Sequence, residues 1–230
     1  MINVSIFKKI GLNLNNGVFV FDGNSLTSGI GGIPYPTQLK LLEPFNSNGS
    51  IFWNKGVGAQ QTSQMITDAT TDIDIKFTNG VSNFVIVNEV GNDIYYNGNV
   101  RSAVDRFWQY CDGRKSAGFK VGIITLQDRS YTYYGSLNAF GDNEVQFRDK
   151  IILANQLMRN EYKDHADFII DLGHNQYIGI NENVTPSTNW NCYNTTYFTD
   201  RIHCTTTGYA IWASEVRRAI LIFTGNSDLI

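Results

Sequence analysis

The chain is short of the residues that would fix a metal or staple a small fold. Three cysteines (Cys111, Cys192, Cys204) in 230 residues are too few for a disulfide scaffold and show no Cys-x-x-Cys spacing. Only one of the three histidines, His203, stands where chemistry is expected, so no His-based cluster can be built, and no metal or other cofactor is expected. Four prolines leave no room for an extended hinge. Without a Pro/Ser-rich linker, charge block or internal repeat, residues 1–230 read as a single domain. The longest apolar stretches, such as Ala219 to Phe223, fall far short of the roughly 20 residues of a membrane span. The segment from Met1 to Ile10 has neither the apolar run nor the cleavage site of a signal peptide. That leaves the compartment open, because a chain without its own signal can be exported within a larger one. A net charge of -3 gives no basic footprint for nucleic acid or an anionic membrane. The four Asn-X-Ser/Thr triplets, at Asn3, Asn48, Asn183 and Asn194, are best explained by chance in an Asn-rich chain.

What is present is enough for a core. The chain is 42% hydrophobic and 13% aromatic, which argues against disorder and for a soluble globular domain. Short β-forming runs alternate with amphipathic stretches. Strands are expected at 17–21, 51–53, 83–87, 121–125 and 168–171. Helices are expected at 35–42, at 62–77 with Met65, Ile66, Ala69 and Ile73 on one face, through Val104, Phe107, Trp108 and Cys111, at 145–158 and at 206–223. Continuous apolar strands separated by helices predict a five-stranded parallel sheet covered on both faces, a three-layer α/β/α sandwich.

In such sheets ligands bind beyond the carboxyl ends of the strands, and there the sequence becomes chemically specific. After the first strand come Gly23-Asn24-Ser25-Leu26; after the second, Asn54-Lys55-Gly56-Val57-Gly58-Ala59; after the third, Val90-Gly91-Asn92-Asp93; and entering the last helix, Asp200-Arg201-Ile202-His203. A serine hydroxyl is a poor nucleophile that needs a base, which His203 can supply. Asp200 can fix the imidazole tautomer, and the Asn92 amide can donate to a developing oxyanion. Each piece alone reads as a turn or a capping pair. All of them in order, each at a strand end, do not.

The set resembles the SGNH hydrolase family, also called GDSL esterases and lipases, over residues 21 to about 213. The resemblance implies an SGNH/flavodoxin-like fold and a serine esterase. It implies Ser25 as nucleophile, His203 as general base and acid, and Asp200 as its orienter. The oxyanion donors it implies are the backbone N–H groups of Ser25 and Ala59 and the side chain of Asn92. Two positions depart from the pattern. Asn24 replaces the Asp of the first block, which should be tolerable outside the proton relay. Ala59 stands where the oxyanion glycine belongs, and a negative φ is expected there, with Gly58 as the fallback donor. Thr27 also excludes the Gly-x-Ser-x-Gly elbow of α/β-hydrolases.

Substrate class is read from the loops. Tyr95, Tyr96, Tyr131, Tyr133, Tyr134, Trp190, Tyr193 and Tyr197 fall where loops should gather, and aromatic rings beside Asn and Asp suit sugars. No insertion resembles the apolar lid of a lipase. A small ester or an acetylated glycan is the expected partner, with no nucleic acid and no membrane span; oligomeric state is not readable. The alternatives are an inactive carbohydrate-binding module on the same fold, or an acyltransferase using the same residues. Asp93 is expected to brace its loop, His174 to hydrogen-bond within its loop, His165 to be solvated and Cys111 to be core. A disulfide between Cys192 and Cys204 is conceivable on sequence distance alone.

Overall fold

The structure is a computed structural model describing residues 12–130, 141–180 and 190–230. Five strands form one parallel sheet: β1 (Val18–Gly23), β2 (Ile51–Gly56), β3 (Asn83–Asn88), β4 (Lys120–Ile124) and β5 (Phe168–Ile170), in the order β2-β1-β3-β4-β5. The order reverses beside β1, which puts a crevice above the ends of β1 and β3. The helices are α1 (Ser25–Ser28), α2 (Tyr35–Leu39), α3 (Thr62–Asp72), α4 (Gly91–Asn97), α5 (Val100–Ser116), α6 (Glu144–His165) and α7 (Thr206–Thr224).

Along β1, β3 and β4 both sheet faces are buried, and the strands divide their side chains by size. Val18, Val20, Val85, Val87, Val121 and Ile123 pack with the apolar faces of α3, α5 and α6. Their alternates Phe19, Phe21, Phe84 and Ile86 face α2 and α7. Successive strand residues point to opposite faces, so Val-Phe-Val-Phe in β1 delivers small residues to one layer and rings to the other. Phe19 stacks on Phe84 at 4.7 Å between ring centroids and on Phe52 at 5.1 Å.

The three-layer expectation is met, with local corrections. β2 is an edge strand that is not covered on both faces: Ile51 and Trp53 are 48% and 41% exposed. The Lys76 ammonium lies 4.3 Å from the Trp53 ring centre and shields it. The helix expected over 62–77 stops at Asp72, and a 3-10 turn follows at Asp74–Lys76. At this end Asp72 pairs with Lys55 and Asp74 with Arg114. α6 runs to His165, beyond the expected end at Met158. His165 is not simply solvated: its ring stacks on Trp108 at 4.9 Å and Nδ1 lies 3.1 Å from Asp112. Cys111 is core as expected, and Cys192 and Cys204 are buried free thiols.

The buried acid Asp22 contributes a pH dependence to the fold. Asp22 Oδ2 accepts from the Tyr110 hydroxyl and Oδ1 from the Gly23 N–H. Burial pushes its carboxyl from 3.8 up to about 7, against the pull of Tyr110, Gly23 N–H and Arg114. The folded state therefore keeps a proton that the unfolded chain releases near pH 4. Its stabilisation is full below that value and is lost as pH rises through about 7. Urea unfolding should show stability falling between about pH 4 and 7, by up to about 4 kcal/mol from this group. Asp22→Asn should make that slope shallower, leaving the part that the raised carboxyl of buried Glu89 contributes; an unchanged slope would mean that Asp22 is already ionised at pH 5.

Candidate active site

The site is assembled from the turns that sequence reading singled out. Ser25 opens α1, where the Asn24 side chain caps the helix by accepting from Leu26 N–H at 2.9 Å. Gly56 admits the neighbouring β2 turn: a Cβ there would lie 2.2 Å from the Ser28 backbone nitrogen. Asn54 ties the two turns, donating to the Thr27 carbonyl at 2.8 Å and accepting from Gly56 N–H at 3.0 Å.

His203 reaches Ser25 from the far end of the chain. Its Nε2 lies 2.9 Å from Ser25 Oγ and its Nδ1 lies 2.6 Å from Asp200 Oδ2. A carboxylate can only accept, so Nδ1 carries the proton and Nε2 is left bare to accept from the serine hydroxyl. The other Asp200 oxygen accepts from the backbone N–H groups of His203 at 2.7 Å and Ile202 at 3.0 Å. Burial works to raise the Asp200 carboxyl, but its hydrogen bonds to His203 and Ile202 hold it below the usual carboxylate range. Arg201, at φ 69°, turns the chain so that Asp200 and His203 face each other. The loop is pinned by Ser130 N–H on the Arg201 carbonyl at 3.0 Å and by Gln127 Nε2 on the Ile202 carbonyl at 2.7 Å.

Asn92 is buried near the start of α4, where its Nδ2 donates to the Gln60 carbonyl at 3.0 Å. That bond uses one of two amide hydrogens and leaves the second for a ligand. It also ties Asn92 to the turn that carries Ala59. There the expectation of a negative φ fails: Ala59 sits at φ 59°. Gln60 N–H bonds to the Val57 carbonyl at 3.2 Å, so Ala59 is the third residue of a tight turn, where glycine would fit best. Gly58 stands one position too early to relieve it, and the alanine carries a strain of about 1 kcal/mol. Asp93 does brace its loop: Oδ2 accepts from Thr62 N–H at 2.9 Å and Oδ1 pairs with Arg106 at 2.6 Å. His174 bonds within its loop, with Nδ1 3.0 Å from Asp171.

Glu89 is the residue that sequence reading missed. It is fully buried and contacts Asn24 from one oxygen and Asn92 N–H from the other. Burial, helped by Asp93, pushes its carboxyl up to about 8, against Asn24, Arg129 and the Asn92 N–H. An acid between the apolar run of β3 and Val90 was the available signal, since buried acids are rare without a partner. Val90 itself sits at φ 91°, an unusual conformation for a β-branched residue. Among the described residues, three of the four non-glycine residues at positive φ, namely Ala59, Val90 and Arg201, flank Ser25, Asn92 or His203, and such strain gathers at functional sites.

The aromatic loop residues divide. Trp190 is 3% exposed and belongs to the core under the Arg148 guanidinium, so it offers no sugar platform. Tyr95 packs on Phe147, whereas Tyr96 is 42% exposed. Tyr193 lies under Arg201 beside a cavity of about 500 Å³ that flanks Asp200. Tyr131, Tyr133, Tyr134 and Asn183 lie outside the described residues. Among the described residues no group of His, Cys, Asp or Glu could hold a metal, and no helix is long and apolar enough to cross a membrane.

No family model and no curated protein matches the chain. Solved structures do. A GDSL-like lipase from Bacteroides thetaiotaomicron is 17% identical with a TM-score of 0.57, over 87% of this chain and 86% of that one. A mutant of an acetyl-xylooligosaccharide esterase from Geobacillus stearmophilus is 13% identical with a TM-score of 0.60, over 94% and 96%. An acetyl xylan esterase is 14% identical with a TM-score of 0.58, over 86% and 97%. This chain has the α/β fold seen in these GDSL-like lipase and acetyl esterase structures.

Proposed function

We propose that the protein is a metal-independent serine esterase of the SGNH type that removes short acyl groups, with O-acetyl groups on a carbohydrate as its substrate class. The observation that carries this reading is the hydrogen-bonded chain from Asp200 through His203 to Ser25. In the reaction, Ser25 Oγ attacks the ester carbonyl as His203 Nε2 takes its proton, and Asp200 stabilises the imidazolium. The tetrahedral oxyanion is met by the N–H groups of Ser25 and Ala59 and the free hydrogen of Asn92 Nδ2. Collapse breaks the C–O bond, and His203 returns the proton to the departing sugar hydroxyl. Water then repeats the sequence on the acyl-serine and releases acetate.

The acyl length and the sugar are supported by separate observations. Exposed Ile30 and Val57 border the turns around Ser25 and offer apolar contact to an acyl group, with no apolar lid over them among the described residues. Two of the structures that share the fold act on acetylated xylan or xylooligosaccharide. The deciding experiment compares p-nitrophenyl acetate and octanoate with the wild type and Ser25→Ala. Acetate turnover should exceed octanoate turnover and fall at least about 1,000-fold in the variant, leaving a residual rate. Equal, near-background rates for the two proteins would refute the esterase and favour a binding module.

A further inference from the structure

We propose that Glu89 is a positioning residue whose buried carboxylate locks the turn carrying Ser25 to the helix carrying Asn92, with Asn24 as its matched donor. The inference rests on the esterase reading above and concerns how that site is held in register.

Nucleophile and oxyanion donor arrive on different elements, so their separation must be fixed by something between them. Glu89 lies there, just past β3, with no exposed surface. Its Oε2 accepts from Asn24 Nδ2, the residue that caps the Ser25 turn. Its Oε1 accepts from the N–H groups of Asn92 at 3.0 Å and Asp93 at 3.4 Å, the first turn of α4. The reversal at Val90 folds the chain back so that Glu89 can reach the helix that follows it. The Arg129 guanidinium packs on Gly91, where a Cβ would come within 2.3 Å of Nη1, and adds positive charge beside the carboxylate.

The chemistry of the pair depends on which partner is the amide. The two ends of Asn24 do different work, Oδ1 accepting from Leu26 N–H and Nδ2 donating to Glu89. An aspartate at that position would keep the cap but turn an acceptor toward another acceptor. Asn24 thus does at that position what an aspartate could not: its donor is what lets an acid be buried at position 89. Leaving that donor or the carboxylate unmatched in the interior is unfavourable.

The test is a double-mutant cycle at about pH 9, where the Glu89 carboxyl, at about 8, is ionised. In Glu89→Gln the new NH2 faces the Asn24 NH2, and flipping Asn24 forfeits the cap on Leu26. In Asn24→Asp two carboxylates face each other. In the double variant polarity is reversed: the new amide at position 89 donates to the new carboxylate at position 24, while the amide oxygen still accepts from Asn92 N–H. Each single variant should lower kcat on p-nitrophenyl acetate about 10- to 100-fold with KM within about threefold. The double variant should recover to within about fivefold of wild type. Thermal unfolding of each variant separates loss of fold from loss of register. A Glu89→Gln enzyme with wild-type kcat, or a double variant as slow as the product of the singles, overturns the inference while Ser25-dependent turnover keeps the esterase. A wild type without Ser25-dependent turnover overturns both.

Discussion

Replacing Asp200 with Asn is expected to lower kcat by about 10,000-fold while leaving the unfolding midpoint and KM close to those of the wild type. The two Asp200 oxygens do separable work. One accepts from the backbone N–H groups of Ile202 and His203 and shapes the loop; the other accepts the hydrogen bond that His203 Nδ1 donates. Asparagine keeps the first as a carbonyl oxygen. It turns an NH2 toward Nδ1, which must then accept, so the ring proton moves to Nε2. A protonated Nε2 faces Ser25 Oγ as a donor and cannot take the serine proton. The geometry survives and the base does not. Steady-state kinetics on p-nitrophenyl acetate with a matched thermal melt checks this. A loss under about tenfold would mean that the 2.6 Å contact does not set the His203 tautomer.

How much of this was legible in the sequence follows from the range of the interactions involved. Local patterns carried the layers: Val-Phe-Val-Phe in β1 and the i, i+3, i+4, i+7 face of α5 are readable because their neighbours are determined by backbone period. Ser25, Asp200 and His203 were legible because their turns have fixed residue types, and the structure brings them within hydrogen-bond reach. The sign of φ at Ala59 was not, because a turn's type depends on how strand and helix are held apart. Here β2 and α3 impose it, and Asp93, reaching Thr62 across the site, holds the helix end. Glu89 was missed because its partner Asn24 is 65 residues away, and its meaning exists only once β1 and β3 lie side by side. The same long-range pairing makes β2 an edge. Its apolar residues read as a covered strand, and only the sheet order reveals the open side.

Gly23→Ala should cost about 3–5 kcal/mol of stability and most of the activity, whereas Gly80→Ala should cost only about 1 kcal/mol and leave turnover intact. Both glycines have positive φ, 149° and 82°, so the backbone penalty of a side chain applies to each. The surroundings differ. A Cβ on Gly80 meets nothing within 4 Å, but one on Gly23 would lie 2.1 Å from the Asn88 carbonyl oxygen and 2.7 Å from Thr27 Oγ1. Asn88 is the register partner of Gly23 across the central β1–β3 pair, so the clash is with backbone that cannot rotate aside. Relieving it means prying apart the strand ends that deliver Ser25 and, through Glu89, Asn92. Stability and kcat should therefore fall together in this variant, in contrast to Asp200→Asn, where kcat falls alone. Urea unfolding and p-nitrophenyl acetate turnover on the two alanine variants decide the matter. A Gly23→Ala protein within about 1 kcal/mol of Gly80→Ala would show that β1 and β3 tolerate the wider spacing, and that the Ser25 turn is not held by their close approach.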